Sequence, residues 1–527
     1  MNDTPVFSHA AAAAPHRLAA QAGRDILVQG GNAIEAMVAM AATIAVVYPH
    51  MNAIGGDGFW LIREPGGKTR AIEACGFAGA QATPARYREA EVDAIPTRGP
   101  LAALTVPGTV GGWALARELS SAVGGRLPLG VLLEAAIGCA TGGYPVSASE
   151  TRFDPTRDAG LMAAPGFAET YLVDGKRAEA GAIRTVARLG ETLGQLAHAG
   201  LDDFYRGDVG REIAADLARI GAPVTRADLA AYEPAWREPL TLRVGAATLF
   251  NTPPPTQGLA SLILLGLFER LGVRQIEGFG YFHALIEASK RALSIRDHVV
   301  TDYRELEYDC ADFLTPAALA REAARISMTR AAALPLKFDA GDTIWMGAID
   351  AEGRAVSFIQ SIYWEFGSGC VLPRTGVLMQ NRGVSFSLDA RAVNPLRPGR
   401  RPFHTLNPAI CAFDDGRVMA YGAMGGDGQP QFQAQVLTRY RGGQDLARAI
   451  DAPRYLFGRA WGAHSSTVKL EEGFDESVAA ALARAGHEIE WKPRGDAFGH
   501  AGALVRGRRG AIEAAHDPRS DGGAEGV

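Results

Sequence analysis

Gly341-Asp342-Thr343-Ile344-Trp345-Met346-Gly347-Ala348-Ile349-Asp350 is the stretch on which the reading of this chain turns. A threonine heads an apolar, strand-like run and follows the segment Lys337-Phe338-Asp339-Ala340-Gly341, which reads as flexible. A threonine hydroxyl is a poor nucleophile alone, and an adjacent amine is one of the few groups that activates it. Scission of the chain before Thr343 would supply that amine from the residue's own backbone. Asp-Thr also opens many ordinary strands, so the surrounding sequence has to decide.

Upstream, the chain is helix-rich. Gly31-Asn32-Ala33-Ile34-Glu35-Ala36-Met37 starts an alanine-rich helix without a polar face, which predicts burial all round. It runs into Pro49 and the glycine loop Ile54-Gly55-Gly56-Asp57-Gly58, then a strand over Phe59-Trp60-Leu61-Ile62-Arg63. Residues 281 to 299 have the period of a long amphipathic helix carrying Glu287, Lys290, Arg291 and Arg296. Downstream of about residue 340 the signal changes to strands. Ala355 to Ile362, Gly376-Val377-Leu378-Met379 and Ala409-Ile410-Cys411-Ala412-Phe413 are separated by Gly/Asp turns. Val468-Lys469-Leu470 and Ala501 to Leu504 read as further strands around a last helix. Helices outside and sheets inside make a layered sandwich.

Composition narrows the function classes. The 527 residues are 47% hydrophobic and 21% charged, an ordinary globular balance, and a formal charge of −5 leaves no footprint for nucleic acid or an anionic membrane. The apolar stretch from Ala36 to Tyr48 is too short to span a bilayer. The first residues have no basic segment followed by an apolar one, so no signal peptide is read. Five scattered cysteines, an odd number, predict reduced thiols and a cytoplasmic location. Gly66-Gly67-Lys68-Thr69 ends like a phosphate loop but lacks its first glycine, which leaves a hairpin turn. No Cys/His cluster suggests zinc, and no Gly-x-Ser-x-Gly elbow suggests a serine hydrolase.

The remaining segments, taken in order, resemble the γ-glutamyltranspeptidase family of N-terminal nucleophile hydrolases along nearly the whole chain. They include Gly30 to Ala36, Pro49-His50, Gly55-Gly56-Asp57-Gly58-Phe59, Val106-Pro107-Gly108-Thr109 and Pro253-Pro254-Pro255-Thr256-Gln257-Gly258. Glu287 to Ala292 with Arg296, Phe366-Gly367-Ser368-Gly369, Gly425-Gly426, Asp451-Ala452-Pro453-Arg454 and Asp517-Pro518-Arg519 continue the series. The resemblance implies an α+β fold, a four-layer αββα sandwich made as one precursor. Cleavage between Asp342 and Thr343 would give a large subunit, 1–342, and a small subunit, 343–527, sharing one domain. Thr343 would act as nucleophile, and its freed α-amine as general base. Gly425 and Gly426 match the family's oxyanion-binding pair, where a simple glycine turn is the plain alternative. Ser361 falls where the family has a second threonine. The chemistry calls for no cofactor and no metal.

Departures from the family pattern bear on substrate. The arginine that grips a γ-glutamyl carboxylate aligns with Cys75, and the acidic residues that take its ammonium align with Val384 and Ser385. The family asparagine aligns with Tyr363, and its paired serines with His404-Thr405. Cysteine cannot replace a bidentate guanidinium. The expected substrate is therefore a small acidic amide, with Arg382 binding a carboxylate and Tyr363 closing the pocket; Arg401 and His404 lie in segments lining it. The segments Pro402 to Pro408 and Met424 to Gln431 resemble the amidohydrolase-type branch, which includes oxamate amidohydrolase and some cephalosporin acylases. Oxamate, hydrolysed to oxalate and ammonia, is the leading expectation. Alternatives are a γ-glutamyl hydrolase or transferase, a glutaryl-amide acylase, and an uncleaved, non-catalytic binding module. The two subunits of one precursor, and a dimer of such pairs, are the expected assembly.

Overall fold

Two seven-stranded antiparallel sheets lie face to face between layers of helices. The computed structural model describes residues 3–333, 342–458 and 465–527, so the Lys337–Gly341 segment lies outside the described residues. One sheet runs Val6–Phe7, Ile512–His516, Ala501–Arg506, Val418–Ala423, Ala409–Phe413, Ala247–Asn251, Leu240–Val244. The other runs Gly523–Gly526, Ala11–Ala14, Asp342–Ile349, Ala355–Tyr363, Asp57–Arg63, Thr69–Ala74, Ala235–Arg237. Both therefore interleave strands from either side of the Asp342–Thr343 bond. This is the expected αββα sandwich.

Period-two alternation explains the layering. In the strand Ala355–Tyr363, Val356 and Phe358 face the helix-side core while Ala355 and Ile359 face the other sheet. The whole strand is buried because both faces are covered. Helix Ala33–Val47 is likewise buried at all fifteen positions. Asn32 caps it, accepting from Ile34 and Glu35 N–H while Glu35 bonds back to Asn32 N–H. Trp345 wedges between the sheets, its indole N–H held by Ser357 Oγ at 2.9 Å. Glycine is required opposite it: a Cβ on Gly422 would come within 2.0 Å of the indole.

On the outer face of the first sheet, helices Gly258–Arg270, Phe279–Val299 and Gln429–Arg441 enclose a second apolar core. The last presents a buried column of glutamines. Gln431 and Gln435 each donate to and accept from the backbone of Phe457 and Tyr455, in the short strand Tyr455–Phe457, at 2.9–3.1 Å.

Two expectations need correction. Gly376–Met379 is not a strand: Gly376 N–H turns back onto Leu372 O, leaving only isolated bridges from Leu378 to Val371 and from Met379 to Gly55. Helix Phe279–Val299 does not simply show a charged face to water, because Glu287, Lys290 and Arg296 are buried. Glu287 and Lys290 pair at 2.7 Å and together clasp the Ala332 backbone. Arg401 Nε pairs with Glu73 at 2.9 Å, and Glu73 also holds Arg237. The Gly66-Gly67 segment is the hairpin turn expected, with Gly67 at φ +91°. No helix among the described residues is long and apolar enough to cross a membrane.

Candidate active site

Thr343 sits at a break in strand pairing. Asp342 pairs with Tyr363 and Ile344 with Gln360, so the register slips around Thr343. Such a bulge re-aims one side chain out of the ladder. The Thr343 hydroxyl, fully buried, donates to Ser361 Oγ at 3.4 Å and accepts from Gln429 Nε2 at 3.4 Å. Long contacts of this kind are common at sites without substrate. Ser361 Oγ is oriented in turn by the Tyr363 N–H at 2.8 Å.

The strand ends in strained backbone. Tyr363 has φ +85° and Phe366 φ +57°, values that L side chains seldom adopt and that cost about 1–3 kcal/mol each. Asn381 secures the turn, accepting from Trp364 N–H at 3.1 Å and donating to Thr97 O at 2.9 Å. The result brings the Tyr363 ring against Arg382, whose guanidinium carbon lies 3.8 Å from the ring centroid. Arg382 is 1% exposed and donates to Thr405 Oγ1 at 3.5 Å. It is not a solvated turn arginine.

Gly425 and Gly426 form the turn before helix Gln429–Arg441. Their φ values, +119° and +51°, need residues without a Cβ. Met424 N–H bonds His500 O and Gly428 N–H bonds Gly425 O, at 2.9 and 2.8 Å, which anchors the turn at both ends. Gln429, the first helical residue, carries the turn to the Thr343 hydroxyl.

A second polar group borders this cluster. Asp57 stands opposite Ser361 across the ladder and so shares its sheet face. Its Oδ1 accepts from Gly76 and Gly108 N–H, while Oδ2 lies 3.6 Å from His404 Nε2. Burial pushes the Asp57 carboxyl up to about 7. Burial, aided by the charges of Arg382 and Arg401, pushes the His404 imidazole well below its ordinary value and keeps it neutral. Cys75 packs in the apolar layer between the sheets with Phe59 and Leu406, and burial drives its thiol well up.

The structure thus brings Thr343, Ser361, Tyr363, Arg382 and Thr405 into one connected set, joined through Gln429 to the Gly425-Gly426 turn. His404 stands beside the set with Asp57. Cys75 lies in the neighbouring apolar layer. Gln429 and Asp57 were not singled out from sequence, although both lie inside segments that carry the resemblance. A cleft of about 690 Å³ opens nearby, with Arg296, Val384, Ser385 and Phe403 in its wall.

Residues 19–527 match the family model for gamma-glutamyltranspeptidase. The chain is 49% identical over 529 residues to the oxamate amidohydrolase proenzyme of Klebsiella pneumoniae, with all of both chains covered. It is 36% identical to the glutathione hydrolase-like YwrD proenzyme of Bacillus subtilis, again over all of both. Among solved structures, the cephalosporin acylase of Bacillus halodurans superposes with a TM-score of 0.91 at 30% identity, covering 100% of this chain and 97% of that one. With a threonine set at a strand bulge and a family match over nearly its full length, this chain belongs to the gamma-glutamyltranspeptidase family, self-cleaving N-terminal nucleophile hydrolases that act on carbon–nitrogen bonds.

Proposed function

We propose that the protein cuts itself between Asp342 and Thr343 and then hydrolyses a small acidic amide, oxamate foremost, to oxalate and ammonia. The observation that carries this reading is the buried Thr343 hydroxyl between Ser361 and Gln429, with the Arg382 guanidinium stacked on Tyr363 nearby. The full-length similarity to an oxamate amidohydrolase proenzyme supports the substrate.

In the precursor, the Thr343 Oγ1 attacks the Asp342 carbonyl. The C–N bond breaks as the ester forms, and the Oγ1 proton ends on the Thr343 nitrogen. Water hydrolyses the ester, leaving a large subunit, 1–342, and a small subunit, 343–527, whose strands remain interleaved. In the mature enzyme the α-amine takes the Oγ1 proton as the oxygen adds to the substrate carbonyl. The Gly425 and Gly426 N–H groups face the oxyanion, a contribution of about 3 kcal/mol per donor. The intermediate collapses, the amine returns its proton to the leaving nitrogen, and ammonia departs. Water then releases the acyl group by the same steps.

Arg382 binds the substrate carboxylate, since a guanidinium fork matches two carboxylate oxygens. His404 and Thr405 flank it, Tyr363 limits the depth of the pocket, and Cys75 lies behind the wall. Five unbridged cysteines support a cytoplasmic setting. A glutaryl-amide acylase is the second reading, favoured by the superposition on cephalosporin acylase. The close packing of Tyr363 and Arg382, each 1% exposed, argues for the smaller acyl group.

The test is intact-mass measurement of the purified protein and of Thr343→Ala, with ammonia release from oxamate. Two fragments, the smaller beginning at Thr343, an uncut mutant and ammonia from oxamate are expected. A single uncut wild-type chain would remove the reading; γ-glutamyl anilide or glutaryl-amide turnover without oxamate turnover would replace the substrate.

A further inference from the structure

Gln257 is fully buried beside the cluster just described and has no part in the mechanism above. Its side-chain amide uses both donors and its acceptor. Nε2 donates to Thr405 O at 2.6 Å and to Gly426 O at 2.8 Å, while Oε1 accepts from Arg296 Nη1 at 2.8 Å. Its backbone N–H adds a bond to His404 O at 3.0 Å, and His404 N–H returns one to Pro255 O at 2.8 Å. Arg296, 3% exposed, also grips the Asp427 carboxylate, one residue past Gly426.

Two walls of the site meet on this one side chain. Thr405, whose hydroxyl takes the Arg382 bond, belongs to the wall assigned to the substrate carboxylate. Gly426 belongs to the turn assigned to the oxyanion. Glycines at φ +119° and +51° leave that turn free to rotate its peptide planes unless something holds them. Gly428 N–H fixes the peptide that carries the Gly426 N–H, by bonding Gly425 O. Gln257 fixes the next peptide, by bonding Gly426 O. A trans peptide points its N–H opposite to its C=O, so the bond to Gly425 O aims the Gly426 N–H, while the Gln257 bond to Gly426 O fixes the other side of that residue through the peptide that carries the Asp427 N–H.

We propose that Gln257 is a positioning residue that sets the span between the carboxylate-binding wall and the oxyanion turn, and that this span selects amides whose carboxylate is attached directly to the reacting carbonyl. The inference rests on the function proposed above and deepens it. A fixed span tells a two-carbon acid amide from longer ω-amides, which place the carboxylate two or three carbons further away. Arg296 acts one step back, because its bond to Oε1 fixes which end of the amide faces the two carbonyls.

The experiment compares Gln257→Met and Gln257→Glu with wild type on oxamate, succinamate and glutaramate, after mass spectrometry has shown two fragments. Met keeps the volume without hydrogen bonds, and ionised Glu cannot donate to either carbonyl. Both variants should lower kcat for oxamate roughly 10- to 100-fold, less than the loss of an oxyanion donor because the turn is loosened and no donor is removed, with KM changed less than about threefold. The preference for oxamate over succinamate should narrow by about tenfold or more, which a general loss of folded enzyme cannot produce. Unchanged kcat and unchanged preference in processed Gln257→Met would overturn the inference. So would a fall in kcat that is equal for all three amides. Should Gln257→Met remain uncut, Arg296→Lys takes its place. It keeps a charge beside Asp427 but removes the rigid guanidinium that serves Asp427 and Oε1 together, and an unchanged preference in it counts equally against the inference. Failure of the parent reading looks different, because wild type would then release no ammonia from oxamate, whatever it does with the longer amides.

Discussion

Replacing Arg382 by alanine tests substrate recognition most directly. The guanidinium is 1% exposed, so solvent screens it weakly. At a separation of about 4 Å and an effective dielectric near 20, a carboxylate gains about 4 kcal/mol from it. That is roughly a thousandfold in kcat/KM. Arg382→Ala also removes the stack on Tyr363 at 3.8 Å, worth about 1–2 kcal/mol to the folded protein and felt by every substrate alike. Ammonia release should therefore be measured on oxamate and on oxamide, a neutral amide of the same size. Oxamate should lose about a thousandfold in kcat/KM and oxamide less than about tenfold. Arg382→Lys should recover only part of the loss, because a point charge replaces the planar fork. Equal losses on the two amides would refute the assignment.

Gly422→Ala should lower stability by about 3 kcal/mol, the upper end of overpacking costs, read as a fall in Tm, because its Cβ has no room beside the Trp345 indole; Trp345→Leu in the same chain should restore part of it. Asp517→Asn should cost about 3–5 kcal/mol in chemical denaturation, since the carboxylate is buried between Arg454 and Arg519. Acid should destabilise the protein through buried neutral histidines. Burial holds His16 and His500 down to about 4, and His487 and His516 to about 3. Their folded values lie below the ordinary 6.5, so the stability they contribute is complete above pH 6.5 and drains as pH falls towards 4 and below, which Tm against pH would follow. Asp57 has the opposite sign. Its carboxyl is raised to about 7, so its contribution is complete below about pH 4 and is lost as pH rises through 7. Asp57→Asn should flatten Tm between pH 5 and 8, and an unaltered slope there would contradict the buried-acid account.

Period and turn chemistry made the layers legible in the sequence: the alanine helix, the Ala355 strand and the Gly66-Gly67 turn are local decisions. The Thr343 position was legible because a nucleophilic residue and a strand start coincide there. Gln429, Gln257 and Asp57 were less so, since a buried glutamine or aspartate reads as polar surface until its partners are known. Those partners lie far along the chain: Gln257 meets Gly426 and Asp57 meets His404. Gly376–Met379 misled because its apolar run serves two single bridges, Leu378 to Val371 and Met379 to Gly55, and no ladder. The sequence could not reveal Glu73 as the counter-ion of Arg401, because the two lie more than three hundred residues apart.

The glutamine column has a consequence for solubility. Tyr455–Phe457 is the outermost strand of a three-stranded sheet, and a bare edge invites pairing with another chain. Gln431 and Gln435 supply, from a helix, the donors and acceptors that a neighbouring strand would have brought. Side-chain amides thus stand in for backbone amides and leave the edge no template to offer. Alanine at both positions would uncover that edge, and concentration-dependent aggregation, rather than loss of turnover, would be its first symptom.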